Sequence, residues 1–307
     1  VLITGHTHLP YNCVLPDADG KPRIVTSSYS FGRVVTDINL VIDKASKDVR
    51  RDLSTATNHV VARDELSPDP AITAVIDKWQ PLFDVAGNTP IGTITADINR
   101  GGDPTGSDRG VESAAGNLVA DAQLWATSAN GADIAFMNPG GVRSDLTFLS
   151  SQDPPEGDGV VTFGEAFTFQ PFGNTLKTFP MTGAEIVSAL EEQCQPAGSS
   201  RPFLHLGVSE GFTYDLSTTI EDIGGVNTCT GISITDVQLN GVAISPTASY
   251  EVTVNSFLSD GGDNFGTFDT ITAPKLDGGV DLEALTNYLG TFGPVAPPPT
   301  DRVNEAP

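Results

Sequence analysis

Residues 112–143 read "ESAAGNLVADAQLWATSANGADIAFMNPGGVR", and the kind of fold is legible in this one stretch. It predicts a helix over about 112–128, then a short buried strand in "DIAFMN", then a glycine turn in "PGGVR". Working outward, "MTGAEIVSALEEQC" opens a second helix at 181, where Thr182 and Glu185 form a T-x-x-E capping box. "DVQLNGVAI" is a hairpin with Asn240-Gly241 at its tip, the pair that a type I′ turn requires. "VDLEALTNYL" supplies a last helix capped by Asp281, ahead of the Pro-rich tail "GPVAPPPTDRVNEAP". Strands and helices mix without a repeat, so the region from 87 to 300 is expected to be an α+β domain on a mixed sheet.

Before residue 65 the composition changes. "RVVTDINLVID" (33–43) alternates, with Val34, Thr36, Ile38, Leu40 and Ile42 on one face, and reads as a half-buried edge strand. "DELSPDP" breaks that pattern. A helix then starts with Asp69 as N-cap and Pro70 at its first position. Its stripe of Ile72, Val75, Ile76, Trp79 and Phe83 reads as packing, and Pro81 is expected to kink or end it. The division expected is therefore 1–64, a connector helix over 65–86, and 87–300.

The chain opens "VLITGHTHLP", a short buried strand at Val1–Ile3 running into a loop with His6 and His8 spaced like metal ligands. A chain starting inside a strand, with no initiator Met or signal peptide, is expected to be a fragment or processed piece. Its 307 residues carry 39 acidic against 16 basic side chains, a net charge of −23, with no Lys/Arg cluster. That balance excludes a duplex nucleic-acid groove or an anionic membrane surface as partner. No apolar stretch approaches the roughly 20 residues that cross a bilayer. Cys13, Cys194 and Cys229 lack CxxC spacing, which leaves pairing or plain burial. The helix-end and loop positions of Cys194 and Cys229 favour a bridge between them, two free thiols being the alternative.

Five motifs, GHTH at 5–8, "ESAAGNLVADA" at 112–122, "NPGGVR" at 138–143, "QPFGNTL" at 170–176 and "FLSDGGDNF" at 257–265, occur in an order and spacing that resembles the 5′-nucleotidases. These are two-domain calcineurin-like metallophosphoesterases. The resemblance covers nearly the whole chain and implies a 5′-nucleotidase C-terminal domain preceded by a remnant of the metallophosphoesterase β-sandwich. It implies a secreted, periplasmic or cell-surface protein that splits nucleotides into nucleoside and phosphate. Relatives acting on 2′,3′-cyclic nucleotides or UDP-sugars share the motifs, and a non-catalytic nucleoside-binding or surface interaction module is the reading from another class.

The same resemblance assigns residues. His6 and His8 look like the last ligands of a centre that holds two divalent ions (Zn, Mn or Co) in the complete enzyme. Two imidazoles cannot hold two ions, so this chain is expected to bind none or one weakly, and its catalytic residues are expected upstream. Phe172 and Phe257 match the aromatics that sandwich the base, and Asp263 matches the carboxylate that accepts from both ribose hydroxyls. Asn138, Arg143 and Arg109 match contacts to the base and to the sugar or phosphate region. In a chain this poor in cations, two arginines at such positions are informative, although a solvated loop charge is the plain alternative for Arg109. Glu112, Asn117 and Asp121 read as residues that orient the site from behind or are structural, His59 and His205 as ordinary surface or sheet residues. Asn264 stands where many members have Gly, and Pro139 stands inside the glycine turn.

Overall fold

The computed structural model describes residues 1–62, 67–150 and 156–305; the expected boundary at 64/65 lies outside them. The chain forms two compact units, Val1–Lys78 and Trp79–Pro307.

In the first unit β1 (Leu2–Ile3) pairs parallel with β3 (Pro22–Ser28), which pairs antiparallel with β2 (Pro10–Pro16). A second, two-stranded sheet joins β4 (Val34–Asn39) to β5 (Thr55–Val60). Asn58 stitches the two sheets, its amide donating to the Tyr11 and Ser27 carbonyls at 3.2 and 3.3 Å. Val1–Ile3 was expected to be buried, but Leu2 and Ile3 are exposed, because this two-residue strand has a partner on one edge alone. The alternation holds at Val34, Thr36 and Ile38 and fails at Leu40 and Ile42, which are exposed. Pairing with β5 runs out at Asn39, and the Asp43 carboxylate then accepts the Ala45 and Ser46 N–H groups in a turn.

Helix α1 (Pro70–Gly87) starts as expected, with Asp69 Oδ1 accepting the Ala71 N–H at 2.7 Å. Pro81 neither ends it nor stops it short of Gly87. A proline forfeits one helical hydrogen bond, and the Gln80 side chain spans the site by donating to Asp84 at 2.7 Å. The expected packing stripe is exposed: Ile72, Val75, Ile76, Trp79 and Phe83 each show more than half of their surface.

The second unit opens with β6 (Pro90–Thr93), α2 (Ala114–Ala126) and β7 (Ile134–Met137). Next come β8 (Val160–Thr162), α3 (Phe163–Phe169), β9 (Thr175–Thr182), α4 (Gly183–Glu191) and β10 (Gly207–Val208). Then follow β11 (Phe212–Asp222), β12 (Asn227–Leu239), β13 (Val242–Ala243), β14 (Ser249–Asn255) and α5 (Ser256–Ser259). The unit closes with α6 (Gly266–Thr270), β15 (Leu276–Val280), α7 (Asp281–Phe292) and β16 (Val303–Glu305). A five-stranded mixed sheet, ordered β10-β7-β14-β9-β15, lies at the centre, with a four-stranded sheet β13-β12-β11-β16 and a β6-β8 pair beside it. Strand β7 is apolar at every position because both faces are covered. Ile134 and Phe136 enter one core with Phe179, Phe212 and Phe268, while Met137 enters the other with Leu118, Phe169 and Leu289.

Several local readings hold. Thr182 and Glu185 close the capping box, Glu185 Oε2 accepting the Thr182 N–H at 2.7 Å and Thr182 Oγ1 the Glu185 N–H at 3.2 Å. Asn240 and Gly241 both take positive φ at the β12–β13 turn. Cys194 and Cys229 are bridged, with Cα atoms 5.5 Å apart. Others shift. Val280 is the N-cap of α7 and Asp281 its first helical residue, whose N–H donates to the Asn174 carbonyl at 2.9 Å. The Pro-rich tail is part of the fold past residue 300, as β16 pairs parallel with β11. His205 is buried, not at the surface: its N–H donates to the Arg109 carbonyl at 2.8 Å. Among the described residues no helix is long and apolar enough to cross a membrane.

Candidate functional site

The central sheet delivers the site residues to one end. Strands β7 and β14 are parallel, Val252 opposite Ile134, so their carboxyl ends lie side by side and lead into Asn138 and Asn255. Strand β9 is antiparallel to β14, Leu176 opposite Asn255, so the loop before β9 reaches the same end with Phe172. Open sheets place ligands at such carboxyl ends.

A hydrogen-bonded chain runs across this end. Asn255, fully buried, caps α5 by accepting the Leu258 N–H at 2.9 Å and donates to Asn138 Oδ1 at 3.0 Å. Asn138, also buried, donates to Asp263 Oδ2 at 3.0 Å. One cap thus fixes both the short helix carrying Phe257 and the amide that orients Asp263. Among the described residues no protein donor bonds Asp263 Oδ1, which leaves that oxygen and a lone pair of Oδ2 for hydroxyls of a ligand.

Gly140 forms the floor. A Cβ there would lie 3.1 Å from Arg109 Nη1 and 3.3 Å from Asp263 Oδ2, so the two charged groups converge over bare backbone. Arg143 donates from Nη1 to the Gly140 carbonyl at 3.3 Å, and its guanidinium sits 5.8 Å from the Phe172 ring centroid. Phe257 packs on Gly262, where any Cβ would come within 2.5 Å of its ring. Both phenylalanines are exposed, and Asn174 ties their loops by accepting from the Ser256 hydroxyl at 3.5 Å.

The electrostatics oppose those of the chain as a whole. Burial first, and then the charges of Arg201 and Arg143, push the Arg109 guanidinium below its ordinary pKa, while Asp263 pulls the other way. Among the described residues none of Arg109, Arg143 and Arg201 forms an ion pair, whereas Arg100 is taken by Asp145 at 3.1 Å. Arg109, Arg143 and Arg201 thus make a locally positive field in a chain of charge −23.

Residues 90–270 match the profile of the 5′-nucleotidase C-terminal domain. The chain belongs to the 5′-nucleotidase family. All six C-terminal site residues fall inside the matched region of this 5′-nucleotidase domain; His6 and His8 precede it. Over 298 residues it is 30% identical to the cell wall protein Lmo0130 of Listeria monocytogenes, covering 94% of this chain and 35% of that protein. Over 316 residues it is 27% identical to the trifunctional nucleotide phosphoesterase YfkN of Bacillus subtilis, covering 99% and 20%. The solved 5′-nucleotidase precursor of Thermus thermophilus superposes with a TM-score of 0.61 at 25% identity, covering 99% of this chain and 57% of that one. The chain spans about a third or less of the first curated relatives it matches.

Among the described residues His6 and His8 do not by themselves make up a metal centre. His6 and His8 are exposed loop residues with positive φ, and His8 packs edge-on against Phe31 at 5.5 Å. Among the described residues no three His, Cys, Asp or Glu side chains gather where an ion could be held. A two-metal centre needs more ligands than these two imidazoles, and no chemical step is assigned to them.

Asn255, Asn174 and Arg201 escaped the sequence reading. A polar residue ending the apolar run "VTVN" and an arginine in a cation-poor chain were the signals available. Glu112, Asn117 and Asp121 are structural as read: Asn117 donates to Glu112 at 2.7 Å and accepts the Val208 N–H at 3.1 Å.

Proposed function

We propose that this chain is the nucleoside-binding part of a nucleotide phosphohydrolase that releases nucleoside and phosphate. The observation that carries the reading is the Asn255–Asn138–Asp263 chain, which presents a carboxylate over Gly140, where Arg109 and Arg143 also meet, near two exposed aromatic rings. Asp263 takes the ribose hydroxyls, Phe172 and Phe257 the faces of the base, and Arg109 and Arg143 the phosphate side. Stacking reads no base identity, so several bases are accepted. The multifunctional relative YfkN supports a broad phosphoester range, which extends the proposal to cyclic nucleotides or UDP-sugars. The cell wall relative supports a secreted or surface location.

Residues 1–64 are proposed as the closing part of a metallophosphoesterase domain, with His6 and His8 as two ligands of a centre completed by residues other than those described. A second reading is binding without turnover, by the same Asp263, Phe172 and Phe257. Calorimetric titration with adenosine tests the binding proposal, and millimolar adenosine without heat would refute it. Phosphate release from AMP by a protein that also carries the full ligand set, tracking added Mn²⁺, Co²⁺ or Zn²⁺, separates enzyme from binder.

A further inference from the structure

The turn that carries Asp263 contains two consecutive left-handed residues, Asp263 at φ 54° and Asn264 at φ 63°. Asp and Asn tolerate that region better than other side chains do, but two in succession carry a cost that glycine would not, and the surroundings have to offset it. The support comes from the end of α4. Gln195, 4% exposed, donates from Nε2 to the Asp263 carbonyl at 2.9 Å and to the Glu192 carbonyl at 2.9 Å. Its Oε1 accepts from Asn264 Nδ2 at 2.8 Å. The one side-chain amide therefore holds both strained residues, using both of its donors and its carbonyl.

Gln195 is itself pinned. Its N–H donates to the Pro202 carbonyl at 2.9 Å, and its neighbour Cys194 is bridged to Cys229. The Glu192 carboxylate accepts the Thr267 N–H at 3.0 Å and its hydroxyl at 2.9 Å. The end of α4 thus clamps the segment from 263 to 267 at both ends, while Asn138 holds the Asp263 carboxylate.

We propose that Gln195 is a positioning residue that holds the Asp263 backbone left-handed, and so sets how strongly the site prefers a ribose with free 2′ and 3′ hydroxyls. The inference rests on the nucleoside reading above. Gln195 touches no ligand; it acts because the Asp263 backbone decides where the carboxylate points. A turn relaxed to right-handed φ swings that carboxylate away from Asn138, while Phe172, on the loop before β9, and the α5 backbone that carries Phe257, capped by Asn255, stay in place.

Adenosine and 2′,3′-dideoxyadenosine are titrated calorimetrically into the 307-residue protein and its variants. Gln195→Leu is expected to weaken adenosine by about five- to tenfold, the scale of one hydrogen bond, and to leave dideoxyadenosine within about twofold. Gln195→Glu keeps the volume and the acceptor but loses the donors, and gives the same ribose-specific loss if the leucine variant does not fold. A preference unchanged in both Gln195 variants, or equal weakening of the two ligands, overturns the inference while the nucleoside reading stands. Wild-type protein without any preference for adenosine overturns both.

Discussion

Asn138 reaches across 125 residues of sequence to donate its side-chain amide to Asp263 at 3.0 Å, and Asn255 fixes that amide from behind. The flip of the Asn138 side chain is settled by this: its oxygen faces the Asn255 donor, so its nitrogen must face the carboxylate.

Replacing Asn138 by alanine removes that donor and frees the carboxylate to turn. Adenosine is expected to bind about 1 kcal/mol more weakly, the net worth of a typical hydrogen bond, with 2′,3′-dideoxyadenosine little changed. Calorimetry with both ligands checks this; equal losses for the two would remove Asn138 from the ribose site.

Phe257 presents an exposed ring packed on Gly262. Phe257→Ala is expected to weaken adenosine, guanosine and uridine together, by roughly 1–3 kcal/mol, because a stack reads a π face and not its edge groups. Selective loss of one base would show that the ring reads identity, and undiminished binding would end the stacking assignment.

Arg302 holds the C-terminal segment to α2 through a buried two-pronged pair with Asp121, at 2.7 and 2.8 Å, and also donates to the Val208 carbonyl at 2.6 Å. Burial pushes the Asp121 carboxyl above its ordinary pKa even with this partner beside it. Arg302→Ala strands that carboxylate and is expected to cost about 3–5 kcal/mol in urea unfolding. The double change Asp121→Leu with Arg302→Met should regain most of it, since an apolar pair needs no compensation. A double variant as unstable as the single one would contradict this account.

His205 is a pH-dependent weak point. Complete burial pushes its imidazole down to about 4 from 6.5, outweighing the Leu206 carbonyl that accepts at Nδ1. Glu305, the carboxylate facing Nε2, stands 3.8 Å away, too far to hydrogen-bond. Because the unfolded chain takes the proton first, this contribution is complete above pH 6.5 and is lost as pH falls toward 4. The loss amounts to roughly 3 kcal/mol. Urea midpoints over that range should fall more steeply for wild type than for His205→Leu; parallel curves would rule the histidine out.

What could be read from the chain alone was whatever depends on neighbours in sequence. Asp69 and the Thr182–Glu185 box cap helices using atoms two and three residues apart, Asn240-Gly241 turns on its own φ values, and an apolar "IAFM" bounded by polar residues reads as a buried strand. The motifs around Asn138, Phe172, Phe257 and Asp263 were visible for the same reason. Their convergence was not. It follows from β7 running parallel to β14 while β9 runs against it, and from Gln195 and Arg302 reaching partners 68 and 181 residues away. Reading the α1 stripe as packed, or His205 as superficial, failed because burial is set by what the rest of the chain brings alongside. Amphipathic spacing states which side of an element would be covered; only the packed structure decides whether anything covers it, because solvent exclusion is a property of both surfaces.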